Sequence, residues 1–404
     1  MIRRLWVPMV VLVLGCETGP GPEQTAVSSA LQPQAATETA PSRALGPISE
    51  AEFRDLVRRV VALLDQRRVD DARALCVEAL DARPDEPRVT HLLAVVEMIA
   101  QNYESVVDLS THQLKKQPDS VPLLATRATA HLYLQDIDAS QRDILRAIER
   151  LEQRVQANAE AAKAETCGRS VEQALTEARV DLARTYYVAG DYDEAERIVS
   201  DLLERDPEST SVRFMQALVQ SKRDDISGSM QTYQRILEED SDCSACLNNL
   251  GVLQFRRHDL KAAREYFEKA LHATPDWDLR GTALVLSNLA ELDLLSGRFD
   301  RAEAGYREAI ATASRYPGAH YGLAVLQDLR GRTGEARTAI TQALLWDPQG
   351  LERHGYEYYE PEWKWYTEAL VLEAQGQDAS DLWKKVATGK VRMLREPARR
   401  HLAP

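Results

Sequence analysis

The sequence predicts an all-α fold assembled from a repeated pair of helices, and three observations lead there. The chain has 404 residues, 44% hydrophobic and 28% charged, with only 6% aromatic. Its abundant Ala, Leu, Arg and Glu favour soluble helix. From Leu182 the chain repeats at a period of 34: LARTYYVAGDYDEAERIVSDLLERDP starts at Leu182 and LGVLQFRRHDLKAAREYFEKALHATP at Leu250, two periods on. LAELDLLSGRFDRAEAGYREAI starts at Leu289 and LAVLQDLRGRTGEARTAITQALLWDP at Leu323, one period apart. Breaks stand where such hairpins need them, at Gly190, Gly297 and Gly331 between halves and at Pro84, Pro118, Pro207, Pro275 and Pro348 between units, because proline cannot continue a helix.

These stretches resemble the tetratricopeptide repeat, a 34-residue unit of two antiparallel helices with small residues at their crossing. Aligned that way, the frames are 53–86, 87–120, 121–154, 176–209, 210–243, 244–277, 283–316 and 317–350. The eighth position holds Val60, Ala94, Ala128, Ala183, Ala217, Gly251, Ala290 and Ala324, and the twentieth Ala72, Val106, Ser140, Ala195, Ser229, Ala263, Ala302 and Ala336. Frame 210–243 departs from the pattern, with Ser241 in place of the terminal proline and Gln216 in place of a leucine. The resemblance covers about three quarters of the chain and implies a right-handed superhelix of about eight helix-turn-helix repeats, closed by a C-terminal capping helix pair.

In chain order, residues 1–16, MIRRLWVPMVVLVLGC, read as a signal peptide: two arginines precede an apolar run from Leu5 to Leu14, about half of what spans a bilayer. The run ends in VLGC, which resembles a bacterial lipobox. The resemblance implies cleavage and lipidation at Cys16, and Glu17 after it implies the periplasmic face of the outer membrane. Residues 17–47 are rich in Pro, Gly, Ser, Thr and Gln, so they are expected to be a disordered tether with a reach of about 30 Å. Three repeats follow over 48–154, an extended helical insertion over 155–175 broken near Gly168, and five repeats over 176–350. Residues 351–404 form an aromatic-rich capping region and basic tail, with Tyr356, Tyr358, Tyr359, Trp363, Trp365 and Tyr366 within eleven residues. Two readings apply: a cap over the last repeat's apolar face, or an anchor for a partner through Tyr358, Tyr359, Trp363 and Trp365.

The formal net charge of -13 argues against nucleic acid or an anionic membrane surface as the main partner, since both need a basic footprint. Membrane contact is expected through the lipid alone. Cys243 and Cys246 invite a redox or metal reading because a thiol at a helix start has a lowered pKa. No strand precedes them, Leu247 stands where a haem motif needs His, and His258 is the sole near candidate for a further zinc ligand. In an oxidising compartment a local disulfide is the expected outcome. Cys76 reads as core, and Cys167 as a free thiol or an intermolecular bridge. Phosphate loops, metalloprotease motifs and nucleophile elbows do not occur in the sequence, and no catalysis, metal or cofactor is expected.

The remaining expectation is binding. The family's ligand contacts, at repeat positions 2, 5, 6, 9, 12 and 13 along a concave groove, carry over to Phe214, Met215, Asn248, Asn249, Phe255, Arg256, Asn288 and Tyr321. Asn249 and Asn288 match its position-6 asparagine, whose amide can pair with an extended peptide backbone. The cations of the carboxylate-clamp type are mostly missing: position 5 is Asn248 and Ser287, position 9 is Val252 and Glu291. The resemblance thus implies a protein-interaction scaffold, similar to lipoproteins that assist pilus assembly, gliding motility, secretion or peptidoglycan enzymes. Its partners would be envelope proteins. The alternative is a periplasmic thiol–disulfide or metal-binding protein working through Cys243 and Cys246.

Overall fold

The computed structural model describes residues 48–84, 86–157, 170–347 and 360–403. Among them all regular structure is helical, and the chain divides into two compact units at Pro207/Glu208. The first unit contains α1 (Glu50–Asp65), α2 (Val69–Ala82), α3 (Pro87–Ile99), α4 (Tyr103–Lys116), α5 (Val121–Tyr133), α6 (Ile137–Ala157), α7 (Val171–Ala189) and α8 (Tyr192–Arg205). The second contains α9 (Thr210–Lys222), α10 (Ile226–Glu239), α11 (Ser244–Arg256), α12 (Leu260–Ala273), α13 (Leu279–Leu295), α14 (Phe299–Thr312), α15 (Pro317–Leu329), α16 (Thr333–Trp346), α17 (Pro361–Ala374), α18 (Ser380–Thr388) and α19 (Arg392–Leu402). Consecutive helices pair into antiparallel hairpins, and each hairpin packs on its sequence neighbours within its unit.

The small-residue columns explain the hairpins. Every residue at positions 8 and 20 of the eight frames is buried, so the two helix backbones of each hairpin approach closely. At Gly251 even a methyl group is excluded, because a Cβ there would lie 2.5 Å from the Phe267 ring. The turn between the helices has a rule that the sequence only partly displays. Position 15 of every frame is left-handed: Arg67, Gln101, Gln135, Gly190, Asp224, His258, Gly297 and Gly331 all have φ between 59° and 84°. A tight reversal after a helix demands that conformation. Only three of the eight are glycine, and each other residue pays about 1 kcal/mol for it.

Adjacent hairpins are joined by a recurring ion-pair triangle linking position 21 of one frame to positions 11 and 16 of the next. Arg73 meets Glu97 at 2.6 Å, and Asn102 donates to the same carboxylate. Arg264 and Arg298 both meet Asp293 at 2.6 Å. At the next joint the polarity reverses: Glu303 accepts from Gln327 at 3.0 Å and pairs with Arg330 and Arg332. Such half-buried, multiply bonded pairs fix how one hairpin registers on the next.

Two features of the domain reading meet the structure directly. α6 and α7 have 21 and 19 residues against 13 or 14 in most repeat helices; most of the expected insertion, Cys167 and Gly168 included, lies outside the described residues. The C-terminal region exceeds the expected helix pair. After α17 and α18 the basic tail forms a third helix, α19, whose Leu394, Pro397 and Ala398 are buried.

Candidate functional site

The first helices of the second unit place most of the expected groove residues, and the structure sorts them. Cys243 caps α11 and is joined to Cys246 by a disulfide, S–S 2.03 Å. Both belong to an apolar cluster with Ala217, Tyr233, Ile236, Leu250 and Leu253. Thiol exchange needs an approachable sulfur, and these are buried, so the pair is a staple at a repeat junction. Among the described residues no three His, Cys, Asp or Glu side chains converge as a metal site requires. Cys76 is fully buried, and burial pushes its thiol up to about 12.

The asparagines form a ladder across α10, α11 and α13. Asn249 Nδ2 donates to Tyr233 Oη at 2.9 Å, Asn248 Nδ2 to Asn249 Oδ1 at 3.4 Å, and Asn288 Nδ2 to Asn248 Oδ1 at 2.8 Å. Asn248 and Asn288 are buried and Asn249 half-buried. The expected use of the Asn249 and Asn288 amides as free peptide clamps is corrected: both donate to neighbouring hairpins. Four other groove expectations also fall. Met215, Phe255 and Tyr321 are buried; Phe255 packs with Phe267 and Leu292, and Tyr321 Oη donates to the Asp347 carbonyl at 3.2 Å. Arg256 is spent on the neighbouring hairpin, donating to Ser221 O at 2.7 Å and pairing with Asp224 at 2.9 Å. Buried apolar area and a satisfied guanidinium at these positions stabilise the hairpins and their joints. Phe214 remains half-buried, edge-on to Tyr233 with ring centroids 5.5 Å apart.

Two polar groups on the same face carry no partner. Ser287 Oγ and Glu291 Oε1, one turn apart on α13, are buried without a hydrogen bond. Burial pushes the Glu291 carboxyl up to about 8. The sequence flagged these positions only as lacking the clamp cations.

At the C-terminus the anchor reading of Trp363 is corrected. Its ring is buried in the cluster formed by α15, α17, α18 and α19, and Trp365 packs partly buried against that cluster. Tyr358 and Tyr359 lie outside the described residues. The cap is locked by a network that sequence reasoning missed. Tyr366 Oη donates to Asp328 Oδ2, which also meets His401 Nε2 at 3.0 Å. His401 Nδ1 faces Glu373 at 3.0 Å, and Trp383 Nε1 donates to Glu373 at 2.6 Å. The His401 ring stacks on Trp383, centroids 4.0 Å apart, and Arg400 donates to the Asp328 carbonyl. Burial opposes the charge on His401, but hydrogen bonds and attraction to the two carboxylates outweigh it and raise its pKa to about 9.

Stacked hairpins, joints built from side chains and an end cap define a helical-repeat scaffold for protein interaction. Tetratricopeptide-repeat sequence models match residues 57–105 and 214–276, and 170–219 and 293–354, together more than half of the chain. The chain belongs to the tetratricopeptide-repeat family. Tetratricopeptide repeat protein 21B of Xenopus laevis is 36% identical over 93 residues, which are 23% of this chain and 7% of that protein. The chain therefore spans a small fraction of that relative. Similar solved structures include the APC/C hetero-tetramer Cut9-Hcn1, 15% identical with a TM-score of 0.49 over 80% of this chain and 56% of that one. A tetratricopeptide repeat protein from Parabacteroides merdae is 16% identical, with a TM-score of 0.46 over 68% and 98%. PilW, described as a type IV pilus biogenesis factor, is 20% identical, with a TM-score of 0.39 over 57% and 99%. At these scores nothing about function rests on the likenesses.

Proposed function

We propose that the chain is a non-catalytic docking scaffold, lipid-anchored at Cys16 to the periplasmic face of a bacterial outer membrane, that holds proteins of an envelope machine together. The observation that carries the scaffold reading is the stacking within each unit: hairpins whose small-residue crossings and ion-pair joints are used on one another, a repeat architecture whose surface is the working feature. The anchor reading rests on the lipobox-like VLGC and the tether-like composition of 17–47. A reach of about 30 Å for such a segment lets the folded part meet components away from the bilayer. A long array suits bridging several of them, which favours motility, pilus or secretion assembly over a single-enzyme adaptor. Cys16→Ser is expected to move the chain from the membrane to the soluble fraction while cross-linking in cells still recovers the same protein partners. A Cys16→Ser chain that stays with the membrane contradicts the anchor, and a wild-type chain that cross-links to no protein contradicts the scaffold.

A further inference from the structure

The basic charge of this acidic chain gathers at its C-terminal end. Residues 384–400 hold seven Lys and Arg against a single acid, Glu396, a surplus of six in a chain of net charge -13, so the remainder carries -19. The fold turns that run into a fixed surface. Leu394 and Ala398 seat α19 in the cap, fully buried, while Arg395 Nε donates to the Gly389 carbonyl at 2.7 Å and Arg400 to the Asp328 carbonyl at 2.6 Å. With Leu394, Pro397 and Ala398 turned inward, the opposite side of the helix is left to solvent, and exposed Arg392 and Arg399 lie along it two turns apart. Lys390, in the turn before the helix, is exposed as well, and neither its ammonium nor the Arg392 guanidinium makes an ion pair among the described residues. Arg399 meets Glu396 at 3.4 Å, an exposed pair that holds it only weakly. Met393 and Leu402, 37% and 36% exposed, flank the row.

The character of this face narrows what it meets. A protein partner is held at a packed centre, with aromatic anchors in pockets; α19 carries no Trp, Tyr or Phe, and the outer side of a single helix is convex. A bilayer asks for less: unpaired cations to reach headgroup phosphates and a few apolar side chains to reach the acyl boundary. The remainder of the chain, at -19, is repelled by an anionic surface, which leaves this end to face it. We propose that the outward face of α19 and the turn before it lies on a bilayer containing anionic phospholipid, with Lys390, Arg392 and Arg399 at the headgroups and Met393 and Leu402 at the edge of the acyl layer. This contact belongs to the folded part and is separate from the lipid at Cys16.

The test is sedimentation of the full Cys16→Ser chain, which cannot be acylated there, with vesicles of phosphatidylcholine alone or with about 30% phosphatidylglycerol added, at low and high salt. Binding to the phosphatidylglycerol vesicles is expected to exceed binding to phosphatidylcholine and to fall as salt rises. Each cation near such a surface strengthens binding about fivefold, so Lys390→Gln, Arg392→Gln and Arg399→Gln combined should weaken it about a hundredfold. Lys115→Gln, Lys261→Gln and Arg337→Gln combined remove the same charge from exposed positions elsewhere and should leave binding nearly unchanged. Both triple variants are expected to melt with wild type, since all six side chains are exposed. Equal binding to the two kinds of vesicle, binding to neither, or the same loss in both triple variants overturns the proposal. A photo-cross-linker at Arg392 that captures an acidic protein and no lipid in cells overturns it in favour of a protein partner. None of these outcomes bears on the Cys16 anchor, because the chain tested on vesicles carries none.

Discussion

Trp383→Ala is expected to unseat the C-terminal cap and lower stability by about 3–5 kcal/mol, the range for removing a fully buried large aromatic. Trp383 is 1% exposed and meets Tyr366 edge-on at 4.9 Å, His401 face-on at 4.0 Å and Glu373 through its indole N–H. Its loss leaves a cavity where α15, α17, α18 and α19 converge. In a quasi-one-dimensional array, damage at an end frays the end first, so hydrogen exchange should accelerate over 360–403 before it does over α11–α13. Trp365→Ala is the control: that ring is only partly buried, and its removal should cost about 1 kcal/mol. Equal losses for the two would show that the cap is not organised around Trp383.

The second large effect depends on pH. The folded His401 pKa is raised to about 9 from an ordinary 6.5. A raised pKa in the folded state means that the stabilisation is complete below about pH 6.5 and disappears as pH climbs through 9. With partial solvent screening the contribution is about 2 kcal/mol. Urea unfolding of wild type and His401→Gln should therefore show a stability difference that shrinks by about that amount between pH 6 and pH 10. A pH-independent difference would mean that His401 is not held as an imidazolium between Asp328 and Glu373.

Periodicity made the repeats legible, because small side chains at crossings leave a column that a single sequence displays. The end of the array was partly legible: aromatic density before α17 announced a cap, but α19 looked like a solvated basic tail, since Leu394 and Ala398 are too sparse to reveal a buried face. The interaction residues were legible only as positions. Asn249, Asn288 and Arg256 have the right chemistry for a ligand, and that chemistry serves equally to join hairpins; only the fold shows which partner takes each donor. The left-handed turn residues behave similarly. Glycine announces the conformation at Gly190, Gly297 and Gly331, whereas Arg67, Gln101, Gln135, Asp224 and His258 adopt it because the packed hairpin imposes it. Contacts such as Asp328 with His401, 73 residues apart, leave no local trace.

The most direct measurement on the scaffold reading is in-cell photo-cross-linking with the reactive side chain placed at Val252 on α11 or at exposed Glu268 on α12. A partner that docks on the inner helices should be captured from Val252 and not from Glu268. Capture from Glu268 alone, or from neither position, would contradict docking along the first helices of the repeats.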